Sequence, residues 1–421
     1  MKRKRTARGG VLIPACLLTC LLISLLMGEV VAGEGDTGGD FQQWLQSLRA
    51  EAEAEGISQR TLASALDGLQ PLPRVIELDR RQPEFTETFW NYLDKRVTPS
   101  RIQQGRRLLK RHQALLERIE RRYGVPPRYL VAFWGLETNF GRYLGSFPTV
   151  AALATLAHDR RRSAFFRKQV MAALRIIDEG HISAAAMKGS WAGAIGQLQF
   201  LPSTFLRHAR DGDGDGRKDV WHDLDDVFAS GGSYLRDLGW RYGQRWGRAV
   251  RLPSDFDWSL ASLDTKKPLA HWRRLGVRRA DGSPLPTADL NGAIVLPQGH
   301  EGPAFLVYDN FEVILKWNRS IHYALAVGHL ADRLVGAPPL RLGRGADNRR
   351  LDRSQALELQ RLLNRLGFDA GEPDGIPGSR TRDAVRAYQK SVGLPADGYP
   401  SHNVLEHLRR HVDRKAAQHR G

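Results

Sequence analysis

Apolar residues recur at spacings of three and four through most of this chain, the periodicity that turns one helix face inward. The pattern predicts helix over residues 41–69, 98–122, 150–156, 165–178 and 311–334. Residues 33–40 are Gly-rich and read as a mobile lead-in to the first of these. Residues 125–142 form another helical segment, opened by prolines that suit a helix start. Within it, Leu130, Phe133 and Trp134 precede Glu137 by seven, four and three residues, so one carboxylate closes an otherwise apolar stripe. Between about residues 248 and 311 prolines recur and short apolar runs alternate with turn residues, which predicts a small β-rich insertion. Two prolines and three glycines in residues 336–348 mark a linker, taken as 339–349. Residues 350–411 then read as a compact three-helix module. Leu357, Leu359, Leu362, Leu363 and Leu366 line its first helix, and Ala384, Val385 and Tyr388 face the core from the next. Residues 412–421 are polar and basic, and read as a solvated tail.

Residues 1–32 stand apart. Lys2, Arg3, Lys4, Arg5 and Arg8 precede an apolar stretch from Val11 to Met27, and Val30-Val31-Ala32 ends in small residues. The stretch is short for a span and contains Pro14, so it reads as a cleaved secretory signal. Both cysteines, Cys16 and Cys20, lie inside it, which leaves residues 33–421 without a disulfide. Leu17-Leu18-Thr19-Cys20 is a poor version of a lipid-attachment signal. The expectation is a soluble periplasmic monomer, attached to a membrane only if Cys20 or Cys16 is lipidated. The chain carries 63 Lys+Arg against 46 Asp+Glu. Removing residues 1–32 takes away five basic residues and Glu29 and leaves an excess of 13 positive charges. That excess favours an anionic polymer. Export argues against nucleic acid and for cell-wall glycan, with its lactyl and peptide carboxylates.

Four features carry chemistry. A carboxylate on the apolar stripe at Glu137 loses solvation, which favours its protonated form, the state a general acid for glycosidic cleavage needs. Residues 188–202 combine small residues with Gln197 and Gln199, so a sugar ring could approach closely and find amides to bond. Tight helix packing would use such residues equally well. Asp211, Asp213 and Asp215 recur at positions 1, 3 and 5 of an EF-hand-like loop, with Gly216 at the turn and the Arg217 carbonyl at position 7. Position 12 is His222, so Asp225 or Asp226 would have to close a longer loop. Trp317 and Tyr323 set aromatic faces beside Asn318, suited to stacking on sugar rings or to ordinary core packing.

Taken in order, Gly135-Leu136-Glu137-Thr138, Ala152-Leu153-Ala154-Thr155-Leu156, residues 189–202, the Asp-rich loop and residues 316–320 resemble the lytic murein transglycosylase B family over roughly residues 40–335. Residues 350–408, with Leu359-Gln360, Asp374-Gly375, Tyr388-Gln389 and Gly393-Leu394-Pro395-Ala396-Asp397-Gly398, resemble a helical peptidoglycan-binding module. The resemblance implies a mainly α protein: a lysozyme-like helical core with an added helical lobe and a small β lobe. It also implies cleavage of the β-1,4 bond between N-acetylmuramic acid and N-acetylglucosamine, leaving a 1,6-anhydromuramoyl end, with Glu137 as acid and then base. Tyr92, Arg161, Arg162, Ser190, Gln199, Tyr234, Trp317, Asn318 and Tyr323 would line the groove. The family often has Tyr at the position of Trp317, so ring stacking is expected there without a phenol hydrogen bond. Spacing leaves the arginine pair within residues 160–162 open. No cofactor is implied for the chemistry. The expected metal is a structural Ca²⁺ held by Asp211, Asp213, Asp215, Arg217 and Asp226, with Asp225 as the alternative closing ligand. The rival readings are a hydrolytic muramidase and a non-catalytic wall-binding scaffold.

Overall fold

The computed structural model describes residues 37–81, 87–159, 162–340 and 351–418. The expected signal 1–32, most of the expected linker, Arg161 and the last three residues lie outside them. Helices dominate, seventeen among the described residues, so the weight of the structure follows the helical periodicity. No helix among them is long and apolar enough to cross a membrane.

Boundaries moved where packing partners diverge. The lead-in predicted to be mobile already carries the first turn of the helix Thr37–Ala54. The single helix expected over residues 98–122 is two, Pro99–Arg111 and Gln113–Tyr123, with His112 at φ −106° between them. The first packs on Ile321–Leu334 and the second on Leu224–Asp237, and one straight rod could not reach both. Each begins or ends as its sequence dictates. Thr98 caps the first by accepting from the Arg101 N–H, and Gly124 ends the second at φ 72°.

The helix Pro127–Thr138 is the centre of the molecule, packed against both of these and against Ile321–Leu334. Tyr129 to Gly135 are all buried. It stops abruptly because Asn139 and Phe140 both adopt left-handed backbone, at φ 51° and 62°. Non-glycine residues rarely do so, and tertiary contacts must hold them there. Phe140 folds back over the helix so closely that a Cβ on Gly135 would lie 2.8 Å from its ring. The turn leaves Glu137 half-buried in the last helical turn.

The insertion is a five-stranded antiparallel sheet centred on Gly247–Arg251, Ala304–Val307 and Asn291–Val295, with Ala249 opposite Phe305 and Ile294 opposite Leu306. Period-two alternation sends the two faces to different cores. Ala293, Val295, Phe305 and Val307 join the large helical core, while Ile294, Leu306 and Val250 join a small one around Trp272 and Phe256.

The last three helices, Arg353–Arg365, Ser379–Ser391 and His402–Gln418, close on their own core of Leu359, Leu363, Val385, Tyr388, Leu405 and Leu408. The third runs past the expected boundary at residue 411 and buries Val412, so the expected tail is helical through residue 418, with Asp413, Arg414 and Lys415 exposed to solvent. The module is also docked. Both the backbone N–H (2.9 Å) and the Nδ1 (2.7 Å) of His300, on the β lobe, meet Asp397 Oδ2. Arg386 donates to the Ala261 carbonyl across the same joint. A Cβ on Gly299 would lie 2.9 Å from Asp397 Oδ2, so the fit admits only glycine without adjustment.

Candidate active site

Glu137 meets two neutral donors on one oxygen. The Tyr323 hydroxyl makes a short hydrogen bond to Oε1, and Trp317 Nε1 donates to the same atom at 3.0 Å. Both come from one corner of the chain. The helix Asp309–Trp317 ends at Trp317, Asn318 to Ser320 turn, and Ser320 caps Ile321–Leu334 by accepting from the Tyr323 N–H. Burial, reinforced by the adjacent Glu137, pushes the Tyr323 phenol well up, so it stays protonated and remains a donor. Tyr92 is buried beside them, and its phenol is likewise pushed up by burial, against the Arg96 guanidinium 3.9 Å over its ring.

The other predicted groove residues divide sharply. Tyr234 is half-buried with its ring 5.0 Å from that of Trp317. Trp317 itself is only 6% exposed, with Phe133 at 4.3 Å and Phe200 at 5.5 Å as further ring neighbours. Enclosed in this way, the indole offers little face to a sugar. Where a phenol hydrogen bond was not expected, the indole supplies one of its own, from Nε1 to Glu137. Ser190 is fully buried and its hydroxyl accepts from the Ala194 N–H, so in this structure it shapes its own loop and does not line an open groove. Buried Asn318 likewise turns its Oδ1 to the Ser320 N–H. Arg162 is paired with Asp79. Gln199 sits at φ 51° and donates to the Leu144 and Gly196 carbonyls, which leaves its own side-chain oxygen as an acceptor.

Gln197, whose amide the sequence leaves open between sugar binding and tight packing, is buried and bolts the loop to the helix Pro127–Thr138. It accepts from Trp134 Nε1 at 2.6 Å and donates to the Trp221 carbonyl at 2.9 Å, while its own carbonyl accepts from the Thr138 hydroxyl. Arg96 was missed altogether. Its position four residues after Tyr92 was the available signal.

The Asp-rich loop brings carboxylate oxygens of Asp211, Asp213 and Asp226 within 4.8 Å of one another. Asp226 is 1% exposed and burial pushes its carboxyl up to about 6. Asp225 instead turns to Arg118. Asp215 lies outside the converging group and accepts from the Arg217 N–H. The Arg217 guanidinium reaches the His181 carbonyl. The donor set is all hard oxygen, as Ca²⁺ prefers.

A helical core with a small sheet lobe, a half-buried glutamate held by a phenol and an indole, and a three-helix appendage define a wall-lytic enzyme. Residues 40–332 match the transglycosylase SLT domain family, and residues 352–408 match a peptidoglycan binding domain. The chain belongs to the transglycosylase SLT domain family and is a lytic transglycosylase of peptidoglycan, with the lysozyme-like fold of that class.

Among individual proteins it is similar to SltB3 from Pseudomonas aeruginosa, solved in complex with NAG-anhNAM-pentapeptide. The two share 46% identity, with a TM-score of 0.84 over 88% of this chain and 99% of that one. It is 28% identical to the membrane-bound lytic murein transglycosylase B of Escherichia coli over 71% of this chain and 85% of that protein. The E. coli lytic transglycosylase Slt35 in complex with calcium matches at 27% identity and TM-score 0.60, over 71% of this chain and 93% of that one.

Proposed function

We propose that the enzyme cleaves the β-1,4 bond after N-acetylmuramic acid by a lytic route in which Glu137 is the only acid and base. The observation that carries this is the company Glu137 keeps. Half-buried in the last turn of its helix, it accepts on Oε1 from a phenol and an indole, donors that support the charged form it adopts between the two proton transfers. Glu137 protonates the leaving glycosidic oxygen, and the substrate's acetamido carbonyl stabilises the cation that develops at C1. The muramoyl C6 hydroxyl then attacks C1 within the same sugar and returns its proton to Glu137. The intramolecular attack gains from proximity, and water is not consumed. Tyr234 and the Gln199 carbonyl oxygen are the described groups best placed to meet sugar. The ligands in the SltB3 complexes, NAG-anhNAM-pentapeptide and NAG-NAM-pentapeptide, fit such a substrate and product.

The C-terminal module holds the enzyme on the wall, and Asp211, Asp213 and Asp226 hold a structural Ca²⁺ remote from the chemistry. The site of action is the periplasm. Mass spectrometry of digested sacculi tests the reaction. Anhydromuramoyl ends are expected from the parent protein and none from Glu137→Gln, since general acid–base catalysis contributes ~10²–10⁴ in rate. Reducing muramic acid ends would make the protein a hydrolase instead.

A further inference from the structure

We propose that Trp317 and Tyr323 form a two-donor clamp on Oε1 of Glu137, which assigns the travelling proton to Oε2. The proposal rests on Glu137 being the acid and base, and it adds which oxygen works and what selects it.

A carboxyl oxygen has two in-plane acceptor positions, and here both donors arrive at the same atom. Neither donor can reverse its role easily. An indole N–H has no acceptor partner to offer, and the Tyr323 phenol is buried beside a carboxylate that opposes its ionisation. Oε1 is therefore the carbonyl oxygen of the protonated acid, and the hydroxyl is at Oε2. The indole is also held in place. Phe133, Tyr234 and Phe200 surround it at ring distances of 4.3, 5.0 and 5.5 Å, so its N–H direction is set before substrate arrives. Tyr323 is anchored one turn into its helix, next to the Ser320 cap.

The clamp has a consequence for each half-reaction. When Oε2 gives its proton to the glycosidic oxygen, charge appears on the carboxylate, and both hydrogen bonds to Oε1 become charge-assisted and strengthen. When the C6 hydroxyl attacks C1, its proton returns to Oε2, and the bonds relax. The two donors thus stabilise the charged form and offset part of the desolvation that the apolar stripe imposes. The Tyr92 phenol also lies close to Glu137, with Arg96 and Glu87 beyond it. None of these is a donor to Oε1 in the structure.

The test is the pH dependence of kcat/KM in the full-length protein on purified sacculi. Trp317→Phe keeps an aromatic ring and removes the N–H. Replacing Trp317 with benzothienylalanine keeps the bicyclic shape as well, and guards against a repacking artefact. Glu137 must be protonated to act, so activity falls as pH rises through its pKa. Losing a donor to the charged form raises that pKa. The alkaline limb should move up by about one pH unit in each variant, and in Tyr323→Phe, as expected for a hydrogen bond to a charged group. The carbonyl stretch of protonated Glu137, assigned by its loss in Glu137→Gln, should rise in frequency in the same variants because Oε1 has lost a donor. An unmoved or lowered limb, or an unchanged carbonyl stretch, overturns the clamp and leaves Glu137 as the acid. A fully active Glu137→Gln would overturn the reading beneath it.

Discussion

Trp317 shows how one side chain changes meaning between sequence and structure. Beside Asn318 and Tyr323 it reads as a sugar platform or a core ring, and in the fold its ring is enclosed and its N–H donates to Glu137. Gln197, open between sugar contact and packing in the sequence, is a bolt in the fold. Its replacement by Ala should leave the buried Trp134 N–H without an acceptor and cost about 1–3 kcal/mol, seen as a lower urea midpoint with an unchanged slope. The Thr138 hydroxyl donates to the backbone carbonyl of Gln197, so that tie to the loop survives the substitution. A variant as stable as the parent would show that the loop is held by other means. Glu137 was legible because an acid on a Leu–Phe–Trp stripe breaks a period that nothing structural requires. Its two partners were not, since they lie 180 and 186 residues away.

Among elements, the Asp-rich loop makes the clearest prediction. Local spacing of one, three and five was visible in the chain, but the closing carboxylate depends on where the helix Leu224–Asp237 begins relative to the loop. That helix start sends Asp225 to Arg118 and Asp226 inward. Burial raises the folded-state Asp226 above its ordinary 3.8 to about 6, so its charged form is disfavoured in the native state. Without metal, this group makes the native fold less stable as pH rises from about 4 to 6, because the native state then holds more protons than the unfolded one. Calcium reverses the sign of that burden. Calorimetry should show a Ca²⁺-dependent rise in melting temperature that is larger at pH 7 than at pH 4, since the ligands must be deprotonated to bind. Asp213→Asn with Asp226→Asn should abolish the rise. A parent protein indifferent to Ca²⁺ and to chelator would reduce the loop to a surface turn.

At the scale of the whole molecule, the joint between the β lobe and the C-terminal module replaces the picture of two independent units on a tether. Hydrogen bonding to Asp397 raises the His300 imidazole from its ordinary 6.5. The joint therefore gains its full contribution below about 6.5 and loses it as pH rises through the higher docked value. Small-angle scattering should show a compact particle at pH 6 that expands toward pH 8, and His300→Ala should be expanded at both. A pH-independent radius in the parent would mean that Arg386 and the backbone contacts suffice. Ending the chain after residue 340 should weaken binding to sacculi while activity on soluble glycan fragments survives, because the module acts by raising effective substrate concentration. Equal binding by the truncated chain would remove the targeting role.

Periodicity, composition and short-range spacing were enough to reveal the helical core, the sheet insertion, the three-helix appendage, the acid on its stripe and two of the converging loop carboxylates. These features depend on neighbours within a few residues, where the period of a helix or strand dictates which side chains share a face. Other properties waited for the tertiary structure: the kink at His112, the left-handed turn after Glu137, the burial of Ser190 and Trp317, the choice of Asp226 and the docking of the module. Each is decided by contacts between segments far apart in sequence. A side chain's burial, and hence whether its polar atom meets substrate, metal or another part of the fold, follows from packing that no local period encodes.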